Sequence, residues 1–487
     1  MRRGSRTADR TRDGDAGASV ASADEGGAVE PSAGGEAVRP ATGPSGSAAG
    51  RPAPDRGPAP GPADGPDAAV GPAPGASRPA YRDLNVLRWL GAFTASTLGD
   101  SVYYLALSWA AVRGGSPAQA GLVLAVSAVP RALLMLGGGV VADRFGPRRV
   151  VVVSDAVRAL VVLGLAAVLV AGSPGLWVLG AVAFVFGVVD ALFMPAVGAL
   201  PPRIAPHDQL ARVQGMRGLA YRVGLVLGAP LGGLAVTLGG PATAFGVAGL
   251  LFALSLPLLL TLRIRPLPAS GDAPAAQERS SPLRDLTDGL RYLRRHRVLG
   301  PLMIVIALSD LGFVGPFNVG LAVLADARGW GASGIGWVLA GFGTGAAATS
   351  LLLTVRGHVP RAGAVKAWTL TLGAAAIAAL AYVPQLPVAV AVALAVGLLA
   401  GLSGSLCGSL VQTQCDPAYL GRVTAVSSFF SLGVAPLSFP LTGAAIGLWG
   451  PGPVYVACAA ICAAGGVYGL CVPALRRAEL PKAGETP

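Results

Sequence analysis

The sequence predicts an all-α integral membrane protein, with twelve transmembrane helices in two pseudo-symmetric six-helix bundles. Three observations lead there. The 487-residue chain is 53% hydrophobic and only 13% charged, with a mean hydropathy of +0.61. A soluble domain carries about a quarter charged residues, so no soluble core would hide this much apolar surface. Beyond residue 80, apolar stretches of about 20 residues recur, each long enough to cross a bilayer as a helix. Short motifs of the first half also return in the second at a nearly constant offset.

Residues 1–80 are rich in Ala, Gly, Pro, Ser and Asp and contain no apolar run. They cannot bury enough surface to fold, and are expected to be a disordered tail. No apolar core follows the basic start, so the tail does not read as a signal peptide. The predicted spans are 86–112, 117–140, 149–171, 175–198, 217–238 and 241–262, then 299–324, 332–355, 362–384, 387–412, 423–448 and 453–475. They divide the chain into an N-terminal half (81–262), a charged linker (263–298), a C-terminal half (299–475) and a short tail (476–487). Within the linker, Leu283, Leu286, Leu290 and Leu293 fall at helical spacing among arginines, behind Ser281-Pro282 as cap and first-turn proline. This predicts an amphipathic helix at the membrane surface.

The formal net charge of +12 is a topology signal. If the first span runs outward, 23 basic residues fall on one side, including Arg144, Arg148, Arg149, Arg361 and Lys366, while the other side holds Arg113 and Arg328. Such asymmetry sets both termini in the cytoplasm and leaves no nucleic-acid footprint. The five cysteines lie in apolar segments of the last fifth without a CxxC, and Cys458 and Cys462 read as packing residues. The three histidines have no metal-ligand spacing, and no metal or cofactor is expected.

The halves repeat. Leu98-Gly99-Asp100 returns 210 residues later as Leu308-Ser309-Asp310, as do Leu210 to Val213 as Leu420 to Val423, and Pro230-Leu231 as Pro440-Leu441. Gly121 to Ala125 matches Gly336 to Ala340 at an offset of 215. Two parallel six-helix halves around a midplane site are a transporter plan.

The loop after the second span runs from Gly139 through Asp143, Arg144 and Gly146 to Arg148 and Arg149. It resembles the G-x-x-x-D-R-x-G-R-[RK] signature of the major facilitator superfamily. Gly139 allows close helix packing, Gly146 a tight turn, and the charges a network near helix ends. The resemblance covers roughly residues 84–475 and implies the major facilitator fold, with this loop as a conformational latch. Asp155 and Arg158, three apart on the third span, are expected to brace it. Gly99-Asp100 with Ala106 to Trp109, Phe193 to Ala196, and the Arg291 to His296 run are similar to the branch of macrolide-efflux proteins and enterobactin exporters. Gly224, Gly228, Pro230, Gly232 and Gly233 on the fifth span are similar to the glycine-proline motif of the family's antiporters, with the proline displaced by one position. Small-residue helix packing would explain the same glycines. The second half has no acidic residue in its equivalent loop, Arg356 to Arg361.

Charges inside spans are costly, about 2.5–3.5 kcal/mol each at the bilayer centre, and mark function. At about 1.5 Å per residue, Asp100 lies about 18 Å and Arg131 about 21 Å from the short loop between their spans, so the two are expected to meet. Thr97, Asp100, Ser101, Tyr104 and Ser108 share one helical stripe. Asp100 is expected either to take up and release a proton with Arg131 as partner, or to form a fixed structural pair with it. Asp310 is its repeat counterpart near a kink at Gly315-Pro316. By the resemblance, Asp310 and Asp190 line the cavity, with Ser403, Ser405, Ser409 and Gln412 on the same wall. Arg222 is expected to reach headgroups or brace the loop.

The expectation is a secondary active, proton-coupled exporter of amphipathic small molecules working by alternating access, a monomer in the bilayer of the cytoplasmic membrane. An importer of the same fold is the alternative. A non-transporting sensor and a membrane-embedded enzyme are weaker readings, since no HExxH, GxSxG or GxxxxGK[ST] occurs.

Overall fold

The structure, a computed structural model, describes residues 80–206, 209–264, 282–356, 359–416 and 419–479. The expected N-terminal tail, Ser281 of the linker cap and the last residues lie outside the described residues, among which there is no strand. The helices are α1 (Leu84–Gly114), α2 (Pro117–Phe145), α3 (Pro147–Ala171), α4 (Leu176–Gly198), the short α5 (Pro201–Ile204) and α6 (Leu210–Leu260). Then come α7 (Pro282–Arg295), α8 (Leu299–Gly315), a π-helical turn (Pro316–Gly320), α9 (Leu321–Ala327), α10 (Gly331–Arg356) and α11 (Ala362–Leu380). The chain finishes with α12 (Leu386–Gln414), α13 (Leu420–Trp449), α14 (Pro451–Cys471) and α15 (Pro473–Arg476).

Among the described residues nine stretches are long and apolar enough to cross a membrane. One of them is two spans folded back at Gly239-Gly240, where Gly240 has a φ of 75° that a side chain would strain. With α1 and α13, the order is consistent with the twelve expected spans. Large apolar side chains such as Leu160, Val170, Trp177, Leu238 and Leu448 point outward. That pattern suits a lipid solvent, where the exterior need not be polar.

Local chemistry sets the ends. Ser116 and Gln119 form a capping box at the start of α2, with Pro117 in its first turn. Gly146, at a φ of 85°, both ends α2 and begins α3, the tight turn predicted there. At the Gly315-Pro316 kink the main-chain groups find side-chain partners. Ser438 Oγ accepts from Gly315 N at 2.9 Å, and Tyr455 Oη donates to Pro316 O at 2.9 Å.

Helix α7 forms where expected, but part of its apolar face meets protein. Leu293 packs with Leu299, Leu302, Val423 and Val426. Tyr292 stacks on Tyr419 at 4.5 Å, and its hydroxyl accepts from Asp416 N at 3.2 Å. Gly289 lies against the main chain of Arg422, so α7 is docked on the start of α13.

Within the first half α1 lies on α6, α2 on α4, and α3 on α4 and α6. Within the second, α10 lies on α12, α11 on α12 and α14, and α8 on α13 and α14. The halves meet where α2 packs on α13 and α6 on α10. These two seams are built from the repeated motifs. A methyl group at Gly121 would lie 2.5 Å from Phe439 O, and one at Gly336 would lie 2.6 Å from Ala229 O. The pattern holds one turn away, where a methyl group at Gly443 would meet Pro117 O and one at Gly233 would lie 2.6 Å from Ala332 O. Both seams thus touch backbone to backbone, near the end opposite the basic loops. At that end Arg113 pairs with Asp326 at 3.1 Å across the halves. Ser108 donates to Asn318 O at 3.1 Å, and Arg222 donates to Ala346 O at 3.3 Å nearer the middle. Arg222 therefore tethers the halves through α10.

Candidate functional site

Two sets of polar groups sit inside the bundle, one in each half. The first centres on Arg158 of α3, whose side chain is fully buried. Its guanidinium meets Asp190 at 2.6 Å, and Asp155 and Asp100 at 3.5 Å each. Phe193 lies under the guanidinium at 4.0 Å, with Phe186 and Phe252 further out, so the charge is held over aromatic faces. Asp155 accepts from Ser96 Oγ at 2.6 Å and Ser255 Oγ at 2.5 Å. Arg131 of α2 donates to Asp190 at 3.2 Å and to Tyr104 Oη at 3.3 Å.

The expected partners are thus exchanged. Asp100 and Arg131 lie at similar depth, but Asp100 meets Arg158, and Arg131 meets Asp190. Residue counting gives height along a helix and not direction around the bundle. Here α2 packs on α4, which carries Asp190, and α1 packs chiefly on α6. Asp155 and Arg158 do not brace the latch loop. They lie about 12 Å and about 16 Å into α3 from Pro147, level with the network.

The latch residues are placed otherwise. Gly139 and Asp143 lie in α2, Asp143 in its final turn. Arg144 sits over the ring of Phe145 at 5.8 Å, and Arg149 is exposed. Arg148 Nε donates to Leu259 O at 3.1 Å, and its terminal nitrogen donates to Leu260 O. A cation on the carbonyl end of α6 is favoured by the helix dipole. The glycines of the fifth span, in α6, are packing positions. A methyl group would lie 2.5 Å from Thr97 Cγ2 at Gly224, 2.5 Å from Ser101 Cβ at Gly228, and 3.1 Å from Val102 Cα at Gly232. These three let α6 lie against α1, while Gly233 and Pro230 belong to the seam with α10.

The second set lines a cavity of about 590 Å³ in the C-terminal half. Asp310 of α8, Lys366 of α11, Ser403, Cys407 and Gln412 of α12 and Ser431 of α13 are among its polar lining residues. Phe313 and Phe342 supply part of its apolar wall. Ser405 and Ser409 are not among its lining residues. Lys366, counted among the cytoplasmic-side basic residues, is 3% exposed and donates to Ser403 Oγ at 3.3 Å. Its signal was present, because it stands inside the apolar stretch 362–384 in a chain with only two lysines. Among the described residues no cluster of metal-ligating side chains occurs.

Residues 89–431 match the Major Facilitator Superfamily. The chain belongs to that superfamily. It is therefore a multi-pass membrane transporter of small molecules and not an enzyme. Among curated superfamily members, the multidrug efflux pump Tap of Mycobacterium tuberculosis is 28% identical over 408 residues, covering 78% of this chain and 92% of Tap. The enterobactin exporter EntS of Escherichia coli is 26% identical over 351 residues, covering 72% and 81%. Among solved structures, the nucleoside transporter NupG superposes with a TM-score of 0.61 at 14% identity over 80% of this chain and 99% of NupG. A bacterial homologue of the lysosomal transporter Spinster, in an inward-facing and occupied conformation, gives 0.61 at 16% identity over 82% and 97%. These likenesses are of fold.

Proposed function

We propose that the protein is a proton-coupled exporter of amphipathic small molecules, with both termini and the basic loops in the cytoplasm. The halves 81–262 and 299–475 would rock about their two glycine seams, linked through 263–298. The cross-half contacts cluster away from the basic loops, so the proposed state opens toward the cytoplasm. Support for the outward direction comes from Tap and EntS, both named for efflux or export.

One observation carries the coupling. The Arg158 network holds three carboxylates, Asp100, Asp155 and Asp190, against two guanidiniums, Arg131 and Arg158. One carboxylate is in excess, and a single proton would neutralise the cluster. Asp100 is the one that solvent reaches, its side chain being 23% exposed against 0% for Asp155 and 4% for Asp190. Its Oδ1 also lacks a hydrogen-bond partner. Binding a proton there would release Asp100 from Arg158, and closing the site would favour the neutral form by desolvation. The electrical part of the gradient supplies about 2.3 kcal/mol per charge per 100 mV.

The test pairs accumulation of antibiotics and siderophores in expressing cells with substrate-driven proton flux in inverted vesicles. Asp100→Asn mimics the protonated state. It should reach the membrane normally, yet lose substrate-dependent proton movement and uphill efflux. Unchanged proton-coupled efflux in that variant sinks the proposal.

A further inference from the structure

We propose that the cavity in the C-terminal half is a recognition site for amphipathic carboxylates, with Lys366 as the residue that selects the acid. The carboxylate would seat on the Lys366 ammonium and Ser403, and a hydroxyl or amine further along the molecule would meet Asp310. This names the substrate class of the exporter reading and rests on it.

Lys366 is buried at 3% exposure, yet its one hydrogen bond among the described residues goes to a neutral hydroxyl, Ser403 Oγ at 3.3 Å. An ammonium has three donors and no acceptor, so two donors are left to the cavity. Among the described residues no carboxylate comes within ion-pairing distance of it. Asp310 lines the same cavity with Ser431 beside it, beyond ion-pairing distance of Lys366 but near enough to feel its charge. A buried ammonium with no carboxylate in contact is costly, and a ligand carboxylate would complete its shell.

The rest of the cavity fits an apolar body. Phe313 stacks on Phe317 at 4.4 Å and lies 5.4 Å from Phe342, making an aromatic wall. A volume of about 590 Å³ falls in the range of small-molecule sites. The acid-selecting group lies on α11, and the proton-binding network of the exporter reading lies on α1 to α4. Recognition and coupling therefore occupy different halves.

Cys407 lines this cavity and reports on its occupancy. Cys471 is exposed at the end of α14, outside the cavity, and serves as the internal reference. The full-length protein in lipid nanodiscs is alkylated with N-ethylmaleimide, and the two sites are followed by peptide mass spectrometry. The probes are 3-(2-naphthyl)alanine and its carboxamide, which lacks the carboxylate. The acid should slow alkylation of Cys407 relative to Cys471. The amide should need roughly tenfold or higher concentration, the size of a charge-assisted hydrogen bond. Lys366→Met should remove this preference, and Lys366→Arg should retain it. Equal protection by acid and amide, no protection by either, or a preference that survives Lys366→Met overturns the proposal. If Lys366→Met does not fold, the acid–amide comparison on the unaltered chain decides alone. Binding is read without a gradient. Failure here leaves proton-coupled efflux standing, and failure of Asp100→Asn to uncouple leaves this site standing.

Discussion

Arg158 is the residue on which the first half depends. It is fully buried, touches three carboxylates and lies over Phe193, whereas Arg131, among the described residues, pairs with Asp190 alone. Replacing it removes the charge that makes burial of Asp155 and Asp190 tolerable. Arg158→Met should lower stability by about 3–5 kcal/mol, the cost of stranding buried charges. Arg131 is 25% exposed at its side chain, and Asp190 keeps Arg158 when Arg131 is lost. Arg131→Met should therefore cost about 1–3 kcal/mol. Thermal unfolding in detergent ranks the two, and equal losses would contradict this division. The sequence made the charged residues legible, because Asp100, Arg131, Arg158 and Asp190 stand inside apolar runs. Their pairing was not legible, because the rotation of each helix is set by neighbours distant in sequence. Lys366 stands inside an apolar run too, yet its place near a span end makes it read as one more cytoplasmic-side charge.

At the level of helices, the glycines of α6 decide how closely it lies on α1. Gly224 and Gly228 face Thr97 and Ser101, on the same stripe as Asp100. A branched side chain there would push α1 away and tilt Asp100 from Arg158. Gly224→Val should destabilise by about 1–3 kcal/mol, the usual cost of overpacking, and should also lower proton coupling. Gly164→Val on α3 is the matched control, since a methyl group there meets nothing within 4 Å. If both variants behave alike in unfolding and transport, the close approach is incidental. Span existence, the break at Gly239-Gly240, the turn at Gly146 and the kink at Gly315-Pro316 were all written in local composition. The docking of α7 on α13 was not. An amphipathic face shows that a helix needs a partner surface, and lipid and protein satisfy that need equally well.

For the whole molecule, the repeat supplies more than ancestry. Gly121 on Phe439 and Gly336 on Ala229 are the same contact made twice, once in each seam. In the rocking model these backbone contacts are the pivots. Gly121→Leu and Gly336→Leu should each reduce transport strongly while the protein still accumulates in the membrane, and the two effects should be alike. Transport rates in vesicles check this, and loss in one variant with full activity in the other would break the symmetry argument. The repeat also marks where the halves differ. Asp100 has its counterpart in Asp310, but the rest of the charged network has no copy, and the second half has a lysine-lined cavity in its place. If both proposals hold, such a layout would separate the source of energy from the choice of cargo. Substitutions around Lys366 and Ser403 would then change which molecules are accepted while the proton circuit stays intact. A lineage under shifting chemical attack could thus acquire new resistances one wall residue at a time, without rebuilding its engine.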